Sequence, residues 1–521
     1  MIGQERIDIV RDDVVEERLG VVAGYAQHRA FFEDCSQHGD FVDPLSGGRL
    51  QRFLFPQTSK AVPVARQGRV ISRGRMAETF DLILTGGTVV NHDGAVARDI
   101  GIRDGRIVAL GSLASASAAQ KWDCHGLHIL PGVIDTQVHF REPGMTHKED
   151  LESGSRGAVM GGVTAVFEMP NTDPLTIDGD AFADKIGRAI GRMHCDFAFF
   201  IGGTAENAGE VAEYEQLPGC AGIKVFMGSS TGKLLIPDDK GLRAILENIR
   251  RRASFHAEDE PRLNERKGER IEGDPRSHPV WRDPVAALLA TTRLVTLARD
   301  TGRRVHVLHV STAEEIDFLA AHKDVATVEV TPHHLTLVAP ECYERLGTRA
   351  QMNPPVRDAR HRDAIWRGIA DGTVDILGSD HAPHTLEEKS KTYPASPSGM
   401  TGVQTLVPTM LDHVNAGRLT LQRFVDLSSH GPARVFGIAN KGRIAHGYDA
   451  DLTIVDLKRR ETITNKWIES KAGWTPYDGV TVTGWPVGTV LRGTIVMRDG
   501  QLLAKGKGQP VRFLEALPAG T

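Results

Sequence analysis

Eight short apolar runs, spaced along the middle of the chain, constrain its fold more than any other feature. They are GVIDTQVHF (132–140), TAVFEMP (164–170), DFAFFIGG (196–203), GIKVFMG (222–228), ASFHAE (253–258), RVHVLHV (304–310), ATVEVTP (326–332) and VDILGSD (374–380). Each is followed by a polar turn or a helix-like stretch, and segments such as AFADKIGRAIGRM and VAALLATTRLVTLARD have helical period. Eight strand–helix units over roughly 300 residues are what a (β/α)8 barrel of the TIM type requires. A doubly wound open sheet is the alternative, but no G-x-G-x-x-G follows the first run.

Both flanks of this middle read differently. Residues 80–130 and 441–505 consist of short alternating runs with Asp-Gly and Gly-Gly turns, the pattern of small β-units. Two separated β-rich ends predict one small β-sandwich domain built from both flanks, residues 76–131 and 439–521, around a barrel over 132–438. Residues 1–75 are read as an N-terminal extension. Its stretch 5–33 could form one polar helix with a weak apolar stripe. The rest is Gly/Pro-dotted, ends in Arg66, Arg69, Arg73 and Arg75, and reads as a disordered tail or a start-site artefact, with Met76 as the natural start.

Composition narrows the function classes. With 40% hydrophobic residues and a formal charge of −5, the chain is neither disordered as a whole nor a general polyanion binder. No nucleic acid or membrane partner is therefore expected, and no apolar run is long enough to span a bilayer. The five cysteines are scattered and none forms Cys-x-x-Cys, which suits reduced thiols and a cytoplasmic location. The charged N-terminus gives no signal peptide.

The carboxyl ends of barrel strands face the active site. Here they carry Gln137, His139 and Arg141 on the first run and Asn171 after the second. Lys224 is on the fourth, His256 on the fifth, His309 on the sixth and Asp380 on the eighth. Imidazole and carboxylate are the usual zinc ligands, and several such groups on separate strands are costly to bury without a shared role. Lys224 would be a strange core residue unless paired with an acid; as a neutral amine it can react with CO2 to give a carbamate that bridges two metals. His306 is assigned to the opposite side of its strand from His309, as structural. His333 and His334 are assigned to loop structure. Asp380 is read as metal ligand and general base rather than a helix cap. The loop 381–402 could cover a substrate, whereas GSSTGKL (228–234) lacks phosphate-loop spacing and ERKGERIEGDPR is a solvated charge run.

Together HFREPGMTHKED, EMPNTDP, GIKVFMGSSTG, LHVST, TPHHL, MNPPVRD, SDHAPH and KGRIAHGYDADLTIVD resemble dihydroorotase, of the cyclic-amidohydrolase branch of the metal-dependent amidohydrolases. The resemblance covers about residues 80–505 and leaves out 1–75. It implies reversible cyclisation of N-carbamoyl-L-aspartate to L-dihydroorotate in pyrimidine biosynthesis. It also implies one or two zinc ions held by His139, Lys224 (N6-carboxylated), His256, His309 and Asp380. By motif position Arg141, Asn171 and His384 would grip the substrate carboxylate, and Asn353 would lie near the ring. Arg141 weighs against the sister allantoinase and dihydropyrimidinase activities, whose substrates lack that carboxylate. A homodimer and association with aspartate carbamoyltransferase are further expectations from the family.

One position departs from the pattern. Relatives mostly carry His-x-His where this chain has Gln137-Val138-His139, and a neutral amide oxygen binds zinc weakly. Gln137 is therefore a doubtful ligand. The alternative it raises is a catalytically inactive scaffold for a carbamoyltransferase. The survival of the other ligand and substrate positions favours an active enzyme of a Gln-Val-His subgroup.

Overall fold

The computed structural model describes residues 79–229 and 234–516. The extension 1–75, its 5–33 helix, the start at Met76 and most of GSSTGKL lie outside the described residues. The eight apolar runs form eight strands: β1 Val133–Val138, β2 Val163–Glu168, β3 Asp196–Gly202, β4 Cys220–Phe226, β5 Ala253–His256, β6 Val305–Val307, β7 Ala326–Val330 and β8 Ile376–Leu377. They pair in parallel in chain order within one sheet. A parallel bridge between Val138 and His381, with the amide of His139 donating to His381 O at 2.7 Å, joins β1 to the segment just past β8. The predicted (β/α)8 barrel is thus the observed one.

Local signals set the helices. Pro284–Asp300 starts at Asp283, whose side chain accepts from the amide of Ala286, with Pro at the first turn. Leu151–Met160 opens on an Asp150–Ser153 capping box. Ala359–Asp371 stops at Gly372, whose φ of 86° an L side chain would resist. The outward faces of the strands, through Val166, Phe199, Val225, Phe255, Val307 and Val328, join the main core with the helices. A separate cluster holds Phe167, Phe200, Phe436 and Phe513, packed edge to face.

Both flanks build the β-domain. One seven-stranded sheet runs Gln501–Leu502, Thr494–Arg498, Thr481–Leu491, Leu452–Thr462, His128–Pro131, Thr88–Asn91 and Gly94–Ala97. The two flanks meet where Leu452 to Val455 pair antiparallel with Pro131 to His128. A four-stranded sheet (Arg106–Gly111, Asp99–Arg103, Thr79–Thr85, Ser117–Asp123) shares its core through Leu84, Ile102 and Trp122 with Ile129, Ile454 and Val490. Among the described residues no helix is long and apolar enough to cross a membrane.

The KGRIAHGYDADLTIVD segment ties this domain to the barrel by charge. Buried Lys441 lies 2.7 Å from Asp196 at the start of β3, 3.3 Å from Asp449, and in contact with Asp451. Arg492 also pairs with Asp196. Burial opposes the Lys441 charge, but the three carboxylates outweigh it and raise its pKa. Removing one partner of such a buried cluster leaves the others uncompensated. Lys441→Met is therefore expected to cost ~3–5 kcal/mol in denaturant unfolding of the full chain. A loss within ~0.5 kcal/mol, the usual range for a surface change, would show that the cluster is not a structural tie.

Candidate active site

Three non-glycine residues at the strand ends hold the left-handed conformation: Arg141 (φ 64°), His309 (φ 37°) and Asp380 (φ 47°). Such backbone is unfavourable for L residues and persists where the surroundings dictate it. Each follows a strand by a few residues, so the chain leaves the sheet and turns its side chain into one cavity. That cavity is lined by Gln137, His139, Arg141, Asn171, His256, His309, Asn353 and Asp380, together with Phe226 and the loop residues Ala382, Ser398 and Gly399. The fold brings together eight of the residues named from sequence, from the ends of five strands and from one connecting segment, which carries Asn353.

Two pairs organise it. On one side His139 Nδ1 meets Asn171 Oδ1 at 2.8 Å, and His139 Nε2 stands 3.3 Å from Asp380 Oδ1. Gln137 Nε2 donates to the same Asp380 oxygen at 3.1 Å, while Gln137 Oε1 is buried without a hydrogen-bond partner. On the other side His256 Nδ1 and His309 Nε2 are 3.0 Å apart, and His256 Nε2 lies 2.9 Å from Glu258 Oε2. His309 Nδ1 is buried without a partner. Burial pushes all three imidazoles below their usual pKa, towards the neutral form.

These partners fix tautomers. A proton shared with Asn171 sits on His139 Nδ1, and one shared with Glu258 sits on His256 Nε2. Lone pairs then remain on His139 Nε2 and His256 Nδ1, facing another acceptor or nitrogen. Imidazole lone pairs with carboxylate and amide partners behind them are the donor chemistry of a cation site. Among the described residues, however, no group of three His, Cys, Asp or Glu side chains converges on one point. Two sequence positions bear on this. Gln137 contributes a neutral amide rather than an imidazole, and the residue electrostatically coupled to His256, His309 and Asp380 is a lysine. An unmodified amine completes no donor set; a carbamate on it would. The residues present fit a cation once Lys224 is carboxylated.

Lys224 is itself unusual. It is 1% exposed, its Nζ donates to Val225 O at 3.0 Å and lies 3.7 Å from the Phe226 ring centre. Among the described residues no carboxylate pairs with it, so the salt-bridged reading of this lysine is not what the structure contains. Burial pushes its amine well below the usual range.

Arg141 is the second buried cation of the site. It is 1% exposed; its Nε donates to Pro383 O at 3.2 Å, and its NH2 stands 3.3 Å from His384 Nε2. Its NH1 is buried with no hydrogen-bond partner, and among the described residues no carboxylate forms an ion pair with it. Burial lowers its pKa to about 10, which leaves it charged at neutral pH. His384 does not line the cavity. It is fully buried behind Arg141, with Lys148 Nζ 3.1 Å from its Nδ1 and Ser398 O 3.0 Å from its Nε2.

Other expectations are adjusted. His333 and His334 belong to a short helix, Pro332–Thr336, not to a loop. They bond Tyr477 and Thr331 rather than facing the cavity. Strand alternation does not separate His306 from His309, because β6 ends at Val307 and His309 is turned by its own positive φ. His306 bonds Thr327 at 2.8 Å and packs against Phe436 inside the barrel. Asp380 caps no helix; the next one, Leu386–Lys389, is capped by Thr385. Sequence reading missed Glu258, Arg282 and His278. Glu258 had a signal, an acid two residues beyond a strand-end histidine. Its partner Arg282 and His278, which lies 3.0 Å from Asn353 Oδ1, had none.

Glu258 gives a pH test. Burial would raise its pKa, but Arg282 and then His256 outweigh this and bring it down from 4.5 to about 2. Its folded value lies below its unfolded value. The stabilisation is therefore complete above pH 4.5 and is lost as pH falls towards 2, on the order of 3 kcal/mol. Glu258→Gln should flatten this acid limb in unfolding measured across pH. An acid limb identical to that of the unaltered chain would refute the coupling.

The comparisons with known proteins agree with this geometry. Residues 128–496 match the amidohydrolase family, and residues 59–124 match the N-terminal domain of the urease alpha-subunit. Dihydroorotase of Halobacterium salinarum is 37% identical over 424 residues, 81% of this chain and 97% of that one. Dihydroorotase of Methanothermobacter thermautotrophicus is 35% identical over 435 residues, 82% and 97% of the two chains. An allantoinase of Rubrobacter xylanophilus is 35% identical over 448 residues, 83% and 98%. Among solved structures, L-hydantoinase (dihydropyrimidinase) from Arthrobacter aurescens is similar with a TM-score of 0.79 and 31% identity, covering 83% of this chain and 99% of that one. The chain belongs to the amidohydrolase family, in its cyclic-amidohydrolase branch, and is a hydrolase acting on the C–N bond of cyclic amides.

Proposed function

We propose that this hydrolase is a metal-dependent dihydroorotase, interconverting L-dihydroorotate and N-carbamoyl-L-aspartate in pyrimidine biosynthesis. The observation that carries the reading is Arg141: a buried guanidinium at the cavity wall, with NH1 unbonded and no carboxylate paired to it among the described residues. A buried charge without a partner is costly, and a carboxylate-bearing substrate would supply the partner. Allantoin and dihydropyrimidines carry no such group, so the allantoinase and hydantoinase likenesses are not matched by this residue.

His139, His256, His309, Asp380 and carboxylated Lys224 would hold one or two zinc ions, with Gln137 adding at most a weak neutral oxygen. When bound, the metal supplies carbonyl polarisation and a water that ionises near neutral pH. Burial favours the neutral Lys224 amine, the form that adds to CO2 and loses a proton to become a carbamate. Arg141 anchors the substrate carboxylate, and His384 acts from behind by fixing the guanidinium. Asn171 orients His139, and Asn353, held by His278, bounds the ring. In hydrolysis Asp380 accepts a proton as water oxygen attacks the ring carbonyl carbon. It then delivers that proton to the ring nitrogen as the C–N bond breaks. Cyclisation runs through the same groups in reverse.

The test is to assay the purified full chain for dihydroorotate hydrolysis while counting bound metal. Turnover that requires one or two metal ions per chain supports the reading; no turnover in metal-loaded protein leaves the scaffold alternative in its place. Asp380→Asn should reduce kcat by at least about 10²-fold with the fold retained by circular dichroism, and near-normal kcat would remove Asp380 from proton transfer. Arg141→Met should raise KM for dihydroorotate by about 30-fold or more. A fall in kcat at unchanged KM would make Arg141 a transition-state group instead of an anchor.

A further inference from the structure

A second charged cleft lies at the opposite, N-terminal ends of the barrel strands, lined by Arg250, Arg251, Arg252, Arg303, Arg304 and Arg434. Arg252 immediately precedes β5, Arg304 immediately precedes β6, and Arg434 stands on the helix Gly431–Phe436. Two of the six have ordinary structural work. Arg251 donates to Glu215 O at 2.9 Å and Cys220 O at 2.8 Å, and stacks on Phe513. Arg303 donates to Leu246 O and Glu247 O, in the last turn of the helix Asp239–Asn248.

The other four do not. The side chains of Arg250 and Arg304 are exposed and make no hydrogen bond or ion pair among the described residues. Arg252 is mostly buried; its NH1 donates to Thr327 at 3.2 Å, but its Nε is buried without an acceptor. Arg434 approaches Asp375 only at 3.9 Å, and that carboxylate is already held by Lys323 and by the amide of Val328. Among the described residues the acid that lines the cleft is Glu515, which reaches Arg251 at 4.0 Å. Burial lowers the Arg252 pKa to about 10, and the neighbouring Arg304 charge lowers it further. Cations crowded into a concave site focus a positive field, and guanidinium forks match phosphate oxygens in pairs.

We infer that this cleft binds a polyphosphate chain, free or carried by a nucleotide. The site is separate from the catalytic cavity and does not depend on which cyclic amide is hydrolysed there. Four converging charges suit a ligand with several negative groups in a row better than a single carboxylate, which one guanidinium would satisfy.

Isothermal titration of the full chain with tripolyphosphate, ATP and UTP, at constant ionic strength, tests this. Saturable binding of one equivalent per chain is expected, weakening as chloride is raised. Arg304→Glu with Arg434→Glu should weaken it by at least about ten-fold while leaving cyclic-amide turnover unchanged. Should the reversed charges impair folding, Arg250→Gln with Arg304→Gln removes two exposed charges and should weaken binding in the same direction. Equal affinity for the three probes identifies the phosphate chain as the ligand; tighter nucleotide binding adds a base contact. No saturable binding of any probe at millimolar concentration, or binding unaltered in a folded variant, overturns the inference.

Discussion

Two buried basic side chains, Arg141 and Lys224, neither paired with a carboxylate among the described residues, set the terms for the rest of the barrel mouth. An isolated charge in a protein interior is costly, and proteins ordinarily pair it or neutralise it. Here the two are resolved differently. Burial pushes the Lys224 amine well below its usual range; its Nζ lies over the Phe226 ring, and among the described residues no carboxylate forms an ion pair with it. Arg141 stays charged, braced by Pro383 O and His384 and with one nitrogen unbonded.

The barrel makes this arrangement affordable by separating an apolar interior from a polar mouth. Phe167, Phe200, Phe436 and Phe513 form one interior cluster. Nearer the strand ends, Thr136 donates to Glu329 at 2.7 Å, and burial raises Glu329 to about 8. Gly378 leaves room for that acid, since a Cβ there would lie 2.5 Å from the Glu329 carboxyl carbon. Positive φ at Arg141, His309 and Asp380 then aims side chains that regular strand geometry would not. The Lys441 cluster holds the β-domain against β3, so the sandwich acts as a brace for the barrel rather than as part of the site.

Much of this was legible in the sequence, for physical reasons. Strands buried on both faces read as short continuous apolar runs, so all eight were visible, as was the double-flank sheet from its turn chemistry. The polar residues that line the cavity stood out because strand ends are where a barrel displays chemistry. What was not legible depends on packing across distant segments. Nothing near His384 in sequence shows that it sits behind Arg141, and nothing near Glu258 shows that Arg282 completes its pair. The five-residue helix around His333 is too short to leave a period. His306 was misplaced because strand alternation was extended past the end of β6.

The central claim is that Arg141 selects a carboxylate-bearing cyclic amide. The most direct measurement compares kcat/KM of the metal-loaded full chain for L-dihydroorotate and for 5,6-dihydrouracil, the same ring without the carboxylate. Loss of a buried charge pair should separate them by at least about 30-fold in favour of dihydroorotate. Equal values, or a preference for dihydrouracil, would contradict the account.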